Sequence, residues 1–247
     1  MFDSLQFLLL KTLWPRVADS RGGVDCSGKS KLRMLLGEEL LLSIQNKTVV
    51  DFGCGEGSEA VELARSGASR VIGLDIREEV LAVARRAAVN AGVESSCLFV
   101  TSTDEKADLI VSLDAFEHFA DPAAILQIMD SLLAPGGEII VSFGPPWLHP
   151  LGGHLFSVFP WSHLVFSERA LIRWRSRFKT DGATRFSEVA GGLNQITIQR
   201  FEQIVDASPF RFTMLEAVPI RKLRAFHSRF TREFTTAVVR CRLARKT

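Results

Sequence analysis

The nine residues Val49-Val50-Asp51-Phe52-Gly53-Cys54-Gly55-Glu56-Gly57 constrain this chain more than any other stretch. A short run of β-branched and aromatic residues between Lys47 and a glycine cluster reads as a buried strand rather than a helix. Glycines at every second position then let the backbone turn sharply and lie close to a flat ligand, because no Cβ stands in the way. A dinucleotide fingerprint needs its third glycine at the sixth position, G-x-G-x-x-G, and here that position is Ser58. The loop therefore lacks the turn that would cradle a pyrophosphate.

The residues after this loop are laid out as a nucleoside-binding βαβ unit. Ser58 to Ser66 carries apolar residues at Ala60, Val61, Leu63 and Ala64 and ends at Gly67, which predicts a helix. Arg70 to Asp75 reads as a second strand closed by an acid, at the distance from the glycines where a ribose-binding carboxylate is expected. A simpler role for Asp75, as the N-cap of a helix beginning near Glu78 and Glu79, is compatible with the first. Further along, Arg77 to Asn90 predicts a helix, Ser96 to Val100 a third strand and Asp108 to Leu113 a fourth. Glu138 to Phe143 is a fifth strand, entered through the turn Pro135-Gly136-Gly137. Strands alternating with helices argue for a parallel sheet with its ligand at the carboxyl ends of the strands.

Four ordered motifs carry a family resemblance over roughly residues 45 to 145. They are the G-x-G-x-G after an acid, the strand ending in Asp75, the D-L-I-V…E-H…D-P pattern from Asp108 to Pro122, and L-x-P-G-G at Leu133 to Gly137. Together they resemble the class I S-adenosylmethionine (SAM) methyltransferases. The resemblance implies an α/β fold, a Rossmann-like, doubly wound, mostly parallel sheet of seven strands, with SAM as cofactor. It also implies a cofactor site at Asp51, Gly53, Cys54, Gly55, Gly57, Asp75, Ile76, Asp104 and Leu113. In that site Asp51 steers the loop and the methionine ammonium, Asp75 holds the ribose, and Asp104 accepts the adenine amino group.

The chain divides on this reading into four segments. Residues 1–45 form an N-terminal helical lid, 46–144 the SAM-binding core, 145–194 a substrate cap inserted after strand five, and 195–247 the closing elements. The closing elements are a helix over Thr197 to Ala207 and strands over Phe212 to Val218 and Thr235 to Leu243. Trp147, Phe156, Phe159, Trp161 and Phe166 either line an apolar acceptor cavity or serve as the cap's own small core.

The side-chain inventory narrows the chemistry. Tyrosine is absent, so there is no phenolic base, and four of the five histidines fall between positions 118 and 163. Methyl transfer is an in-line displacement in which alignment does most of the work, and a hydroxyl acceptor gains further from a base near neutral pKa. His118, His154 and His149 are the candidates, each with the alternative of capping a loop carbonyl. Asp114-x-x-Glu117-His118 is similar to the E-x-x-E-H pattern that holds a divalent ion in ubiquinone-pathway and small-RNA O-methyltransferases. Asp114 departs from that pattern by its shorter reach, and a metal is the less favoured expectation.

Charge is unevenly spread. Residues 168–247 hold 17 Lys and Arg against 7 Asp and Glu, and residues 1–167 hold 13 against 21. A basic segment packed beside an acidic half explains this, and an anionic partner is the alternative. The expected partner is a small-molecule acceptor, methylated at oxygen or nitrogen. Nucleic acid is not favoured, because Arg169, Arg173, Arg175, Arg177 and Lys179, and likewise Arg221, Lys222, Arg224, Arg229 and Arg232, accompany no RNA-binding motif. An RNA or protein methyltransferase and a SAM-binding protein without transfer activity are the rival readings. No apolar run reaches the roughly 18 residues of a membrane span. Phe2 to Trp14 lacks the marks of a secretory signal, so it is expected to form a helix that lids the cofactor or packs on the sheet, with surface membrane contact as the lesser reading. Four scattered cysteines without a C-x-x-C pair fit reduced thiols and a cytoplasmic location.

Overall fold

The structure is a computed structural model, and residues 2–14, 31–180, 182–188 and 192–246 are described. Its elements in chain order are α1 (Phe2–Leu13), α2 (Lys31–Ser43), β1 (Thr48–Phe52), α3 (Ser58–Arg65), β2 (Arg70–Leu74), α4 (Glu78–Ala91), β3 (Cys97–Val100) and β4 (Ala107–Leu113). After them come α5 (Pro122–Leu132), β5 (Leu133–Phe143), α6 (Ser162–Val165), α7 (Glu168–Arg175), α8 (Ile198–Ala207), β6 (Phe210–Pro219), α9 (Arg232–Thr235) and β7 (Thr236–Arg245).

The strands form one sheet in the order β3-β2-β1-β4-β5-β7-β6. β1 to β5 are mutually parallel, and β7 runs antiparallel to both β5 and β6. Chain order reverses beside β1, which opens a crevice at the carboxyl ends of β1 and β4 where a ligand can lie. The seven-stranded, mostly parallel sheet is the architecture expected from the sequence, with strand boundaries other than that of β5 displaced by one or two residues. The largest displacement is at β5, which begins at Leu133. Its Pro135-Gly136-Gly137 turn loops out as a bulge: Leu133 faces Ala107, whereas Glu138 already faces Leu109.

Helices cover both faces of the sheet. One core joins β-strand residues such as Val50, Ile72 and Ile110 to α5 and α8 through Leu126, Met129, Phe201 and Val205. The other joins Val49, Val71 and Val111 to α2, α3 and α4 through Leu40, Leu63 and Leu81. These side chains stand on alternate sides of the strands because successive residues of a strand point to opposite faces. α3 begins at a left-handed Gly57 and α4 ends at a left-handed Gly92. Asp121 caps α5 through Ala123 and Ala124, with Pro122 in its first turn.

A third cluster lies apart from the sheet. Phe156, Leu171, Trp174 and Phe186 are buried with Leu10 of α1, and Phe7, Trp14, Trp147 and Phe166 pack around them. The aromatic residues after β5 thus build a core of their own for the cap. α1 joins that cap: Gln6 bonds Val165 O and Ser167 N, and Asp3 accepts from the Ser167 hydroxyl. α2 instead packs with the sheet through Leu32, Leu40, Leu41 and Ile44. No helix among the described residues is long and apolar enough to cross a membrane.

Candidate functional site

The glycine loop hangs from the end of β2 and not from its own strand alone. Gly53 N and Cys54 N both donate to Leu74 O, at 2.8 and 2.9 Å. Gly55 N donates to Asp75 Oδ2 at 3.1 Å, so the acid that closes β2 clasps the loop after β1. Gly57 is left-handed at φ 81°, and a Cβ there would stand 2.7 Å from Ala84 Cβ and 2.9 Å from the Phe99 ring. Close packing of α3 on α4 and β3 therefore requires this glycine. Gly55 differs: at φ 51° it is also left-handed, yet a Cβ would meet nothing within 4 Å. Its bare face looks into open space beside Asp75, where a ligand's flat face can approach the backbone.

Asp75 is already well served. Oδ1 accepts from Arg77 N at 3.0 Å and Arg77 Nε at 3.1 Å, and Oδ2 accepts from Arg77 Nη2 at 3.1 Å as well as from Gly55 N. Its burial opposes ionisation, but the Arg77 hydrogen bonds and charge outweigh that and hold the carboxyl below its usual range. Arg77 was not singled out from the sequence, although a guanidinium two residues past the acid is the signal that could have found it. Asp51 and Cys54 are buried. Burial, reinforced by Asp51 and Asp75, pushes the Cys54 thiol far above its ordinary pKa. Leu113 is buried at the end of β4, Ile76 is fully out in solvent beside Asp75, and Asp104 is exposed beyond β3.

Across the crevice, β4 runs into a turn that places Phe116, Glu117 and His118. Asp114 is left-handed at φ 49°, and its N–H bonds Ser142 O, which tethers the turn to β5. Phe116 is buried against Phe143 and Phe201. Glu117 is buried and accepts from Gly144 N at 3.3 Å. His118 Nδ1 lies 2.7 Å from Gly192 O. A carbonyl can only accept, so Nδ1 carries the proton and Nε2 keeps the lone pair in the neutral ring. Glu117 thus turns inward while His118 is tied to the far loop. Among the described residues no group of three or more His, Cys, Asp or Glu side chains converges as metal ligands do.

The cap brings its histidines to the same place. The His154 ring lies 5.7 Å from the His118 ring, edge to face. Gly152 and Gly153 deliver it there through close approach: a Cβ on Gly152 would stand 2.1 Å from Trp147 O, and one on Gly153 2.5 Å from His163 Cβ. His154 hydrogen-bonds the Pro145 backbone, yet burial and the neighbouring His118 push its pKa down to about 4. His149 is also pushed down to about 4 by burial, and its Nδ1 accepts from Leu151 N at 2.8 Å. Both rings are therefore neutral at physiological pH, and that of His149 serves the loop's own backbone. His163, at 2.6 Å from Trp147 O, does the same for the start of the cap. Glu117, Trp147, His154 and Ile196 border a cavity of about 10 Å3, room for a single water.

Residues 50–141 match the family described as "Methyltransferase domain". A ubiquinone biosynthesis O-methyltransferase of Aeromonas salmonicida is 35% identical over 102 residues, which are 39% of this chain and 42% of that protein. The same-named protein of Serratia proteamaculans is 36% identical over 105 residues, 40% of this chain and 43% of its own. The chain thus spans less than half the length of the curated relatives it matches. Among solved structures, an S-adenosylmethionine dependent methyltransferase from Mesorhizobium loti superposes with a TM-score of 0.54 at 19% identity, over 84% of this chain and 95% of that one. That likeness speaks for the fold.

Proposed function

We propose that this chain, whose residues 50–141 match the family described as "Methyltransferase domain", is a class I SAM-dependent methyltransferase that transfers a methyl group from SAM to an oxygen of a small-molecule acceptor. The observation that carries the cofactor assignment is the clasp of Gly55 N on Asp75 beside a glycine with open space over its face. A carboxylate there suits the two ribose hydroxyls, and the loop has no third glycine turn for a pyrophosphate. SAM supplies an electrophilic methyl when bound. The residues of this chain align the acceptor and remove its proton. The second task falls in this proposal to His118, whose Nε2 is left as the acceptor by the bond from Nδ1 to Gly192 O. His154, held to a pKa of about 4, is a weak base and serves instead as a neutral wall opposite His118. The names of the relatives favour oxygen over nitrogen.

Calorimetric titration with SAM and with NAD tests the cofactor, and release of labelled methyl to hydroxylated aromatic probes tests the transfer. His118→Gln should leave SAM affinity within about twofold and lower turnover by about 10²–10⁴-fold, the usual contribution of a general base. Full turnover by that variant removes His118 from the mechanism, and loss of activity on chelation with rescue by a divalent ion replaces the base by a metal. A second reading, SAM binding without transfer, draws support from the small cavity against Glu117 and His154. Saturable SAM binding with no methyl release from any hydroxylated probe would favour it. A cytoplasmic location remains part of the proposal, resting on the thiol pattern.

A further inference from the structure

The connection between β6 and β7 takes no part in the reaction proposed above, yet its make-up is unusual. Phe226 is 70% exposed, Phe230 85% and Phe234 44%. Arg221, Lys222, Arg224 and Arg229 are exposed among them, and no acid pairs with any of the four among the described residues. Arg229 lies over the Phe230 ring instead, 5.6 Å from its centre. The acid within the loop, Glu233, is spent elsewhere, since its two oxygens accept from Ile198 N and Gln199 N at the start of α8. Arg232 is likewise taken, by Glu202 at 2.5 Å.

These rings are not exposed because the loop is unformed. Ile220 N bonds Thr235 O at 2.8 Å, His227 Nδ1 meets Thr235 Oγ1 at 2.8 Å, and Arg232 N donates to Ser228 O at 2.8 Å. With Glu233 on α8, the base of the loop is pinned and the phenylalanines are held outward. Position matters too. β6 runs parallel to β1–β5, so the loop leaves the sheet at the carboxyl edge, the edge of the glycine loop and of His118. The cap over that edge carries α1, on which Phe2, Leu5, Leu8, Leu9 and Leu13 are all exposed.

We propose that the β6–β7 loop docks this protein on an anionic lipid surface, with Phe226 and Phe230 entering the headgroup layer and Arg221, Lys222, Arg224 and Arg229 meeting lipid phosphates. Aromatic rings buried at the bilayer boundary and cations at its charged surface are the two contributions such binding adds together. Rings and cations can also serve a single-stranded nucleic acid. The leucines of α1 decide between the two, because aliphatic chains offer nothing for a base to stack on, whereas a lipid surface accepts both features. The proposal stands apart from the methyl-transfer reading, and its test needs no turnover.

The test is co-sedimentation of the full chain with vesicles of phosphatidylcholine alone and of phosphatidylcholine mixed with phosphatidylglycerol. The protein should bind the mixed vesicles at low salt, release as salt rises, and bind the neutral vesicles poorly. Phe226→Ala/Phe230→Ala and Arg221→Gln/Lys222→Gln/Arg224→Gln/Arg229→Gln should each weaken binding by about tenfold or more, with melting temperature unchanged. Phe226→Trp gives an independent reading: its added emission should shift to the blue with mixed vesicles. No binding of the parent protein to mixed vesicles overturns the proposal. So does equal binding by the variants, an unshifted Phe226→Trp spectrum, or loop-dependent binding to a single-stranded polynucleotide without binding to vesicles.

Discussion

At the scale of the residue, Asp75 holds the most consequential position. Four hydrogen bonds already reach its two oxygens, three of them from Arg77. A ribose that takes Asp75 must displace part of that guanidinium. Asp75→Ala should weaken SAM by about 1.5–3 kcal/mol, the range for a hydrogen bond to a charged group. Arg77→Ala, which frees two of those acceptor positions, should tighten SAM severalfold in the same titration, and weaker binding would show that Arg77 contacts the cofactor itself. The two left-handed glycines separate folding from binding. Gly57→Ala drives a Cβ into Ala84 and Phe99 on a strained backbone, and should cost at least about 2 kcal/mol in denaturant unfolding. Gly55→Ala meets only open space, so it should lose about 1 kcal/mol of stability from backbone strain and most of its SAM affinity.

At the scale of the element, strands and helices were legible because each is punctuated. β1 is followed at once by Gly53 and β2 by Asp75, α4 stops at a left-handed Gly92, and α5 starts at the Asp121-Pro122 pair. Local signals of that kind need no tertiary information. The cap was not legible in the same way. Its turns are set by bonds between distant residues, such as Trp161 Nε1 to Leu148 O and His163 Nε2 to Trp147 O, and no period in the sequence encodes them. Its aromatics left two readings open, and Phe156, Trp174 and Phe186 lie in a closed core of the cap's own. His154, with its pKa pushed down to about 4 from an ordinary 6.5, gives the cap a pH response. The proton binds the unfolded chain more readily between those values, so stability is level above pH 6.5 and falls as pH drops toward 4. The loss amounts to up to about 3 kcal/mol. His154→Asn, with a side chain that tolerates the left-handed backbone, should flatten that part of a denaturation profile measured from pH 7 to pH 4.5; an unchanged slope would assign it to other groups.

At the scale of the whole molecule, the charge asymmetry resolves into two populations. Arg242 pairs with Glu138, Arg245 with Asp130 and Arg240 with Glu216, which ties the basic closing strands to acids of β5, α5 and β6. Arg221, Lys222, Arg224 and Arg229 of the β6–β7 loop face out, as do Arg169, Arg177 and Lys179 before it. If acceptors enter beside Glu117 and His154, the cap must move, because the cavity of about 10 Å3 there admits no organic molecule. Segments that open must be less protected than the sheet. Amides of residues 146–166 should exchange hydrogen faster than those of β1, β4 and β5, and SAM should slow the glycine loop more than the cap. Equal protection of cap and sheet would mean that acceptors enter by another face.

Cys54 adds a chemical consequence. SAM is an alkylating agent, and a thiolate within the loop proposed to hold it would be the strongest nucleophile in reach. Burial among two carboxylates keeps this sulfur protonated at any physiological pH. The protein can thus carry a cysteine in that loop without methylating itself, and prolonged incubation with SAM should leave the mass of the chain unchanged.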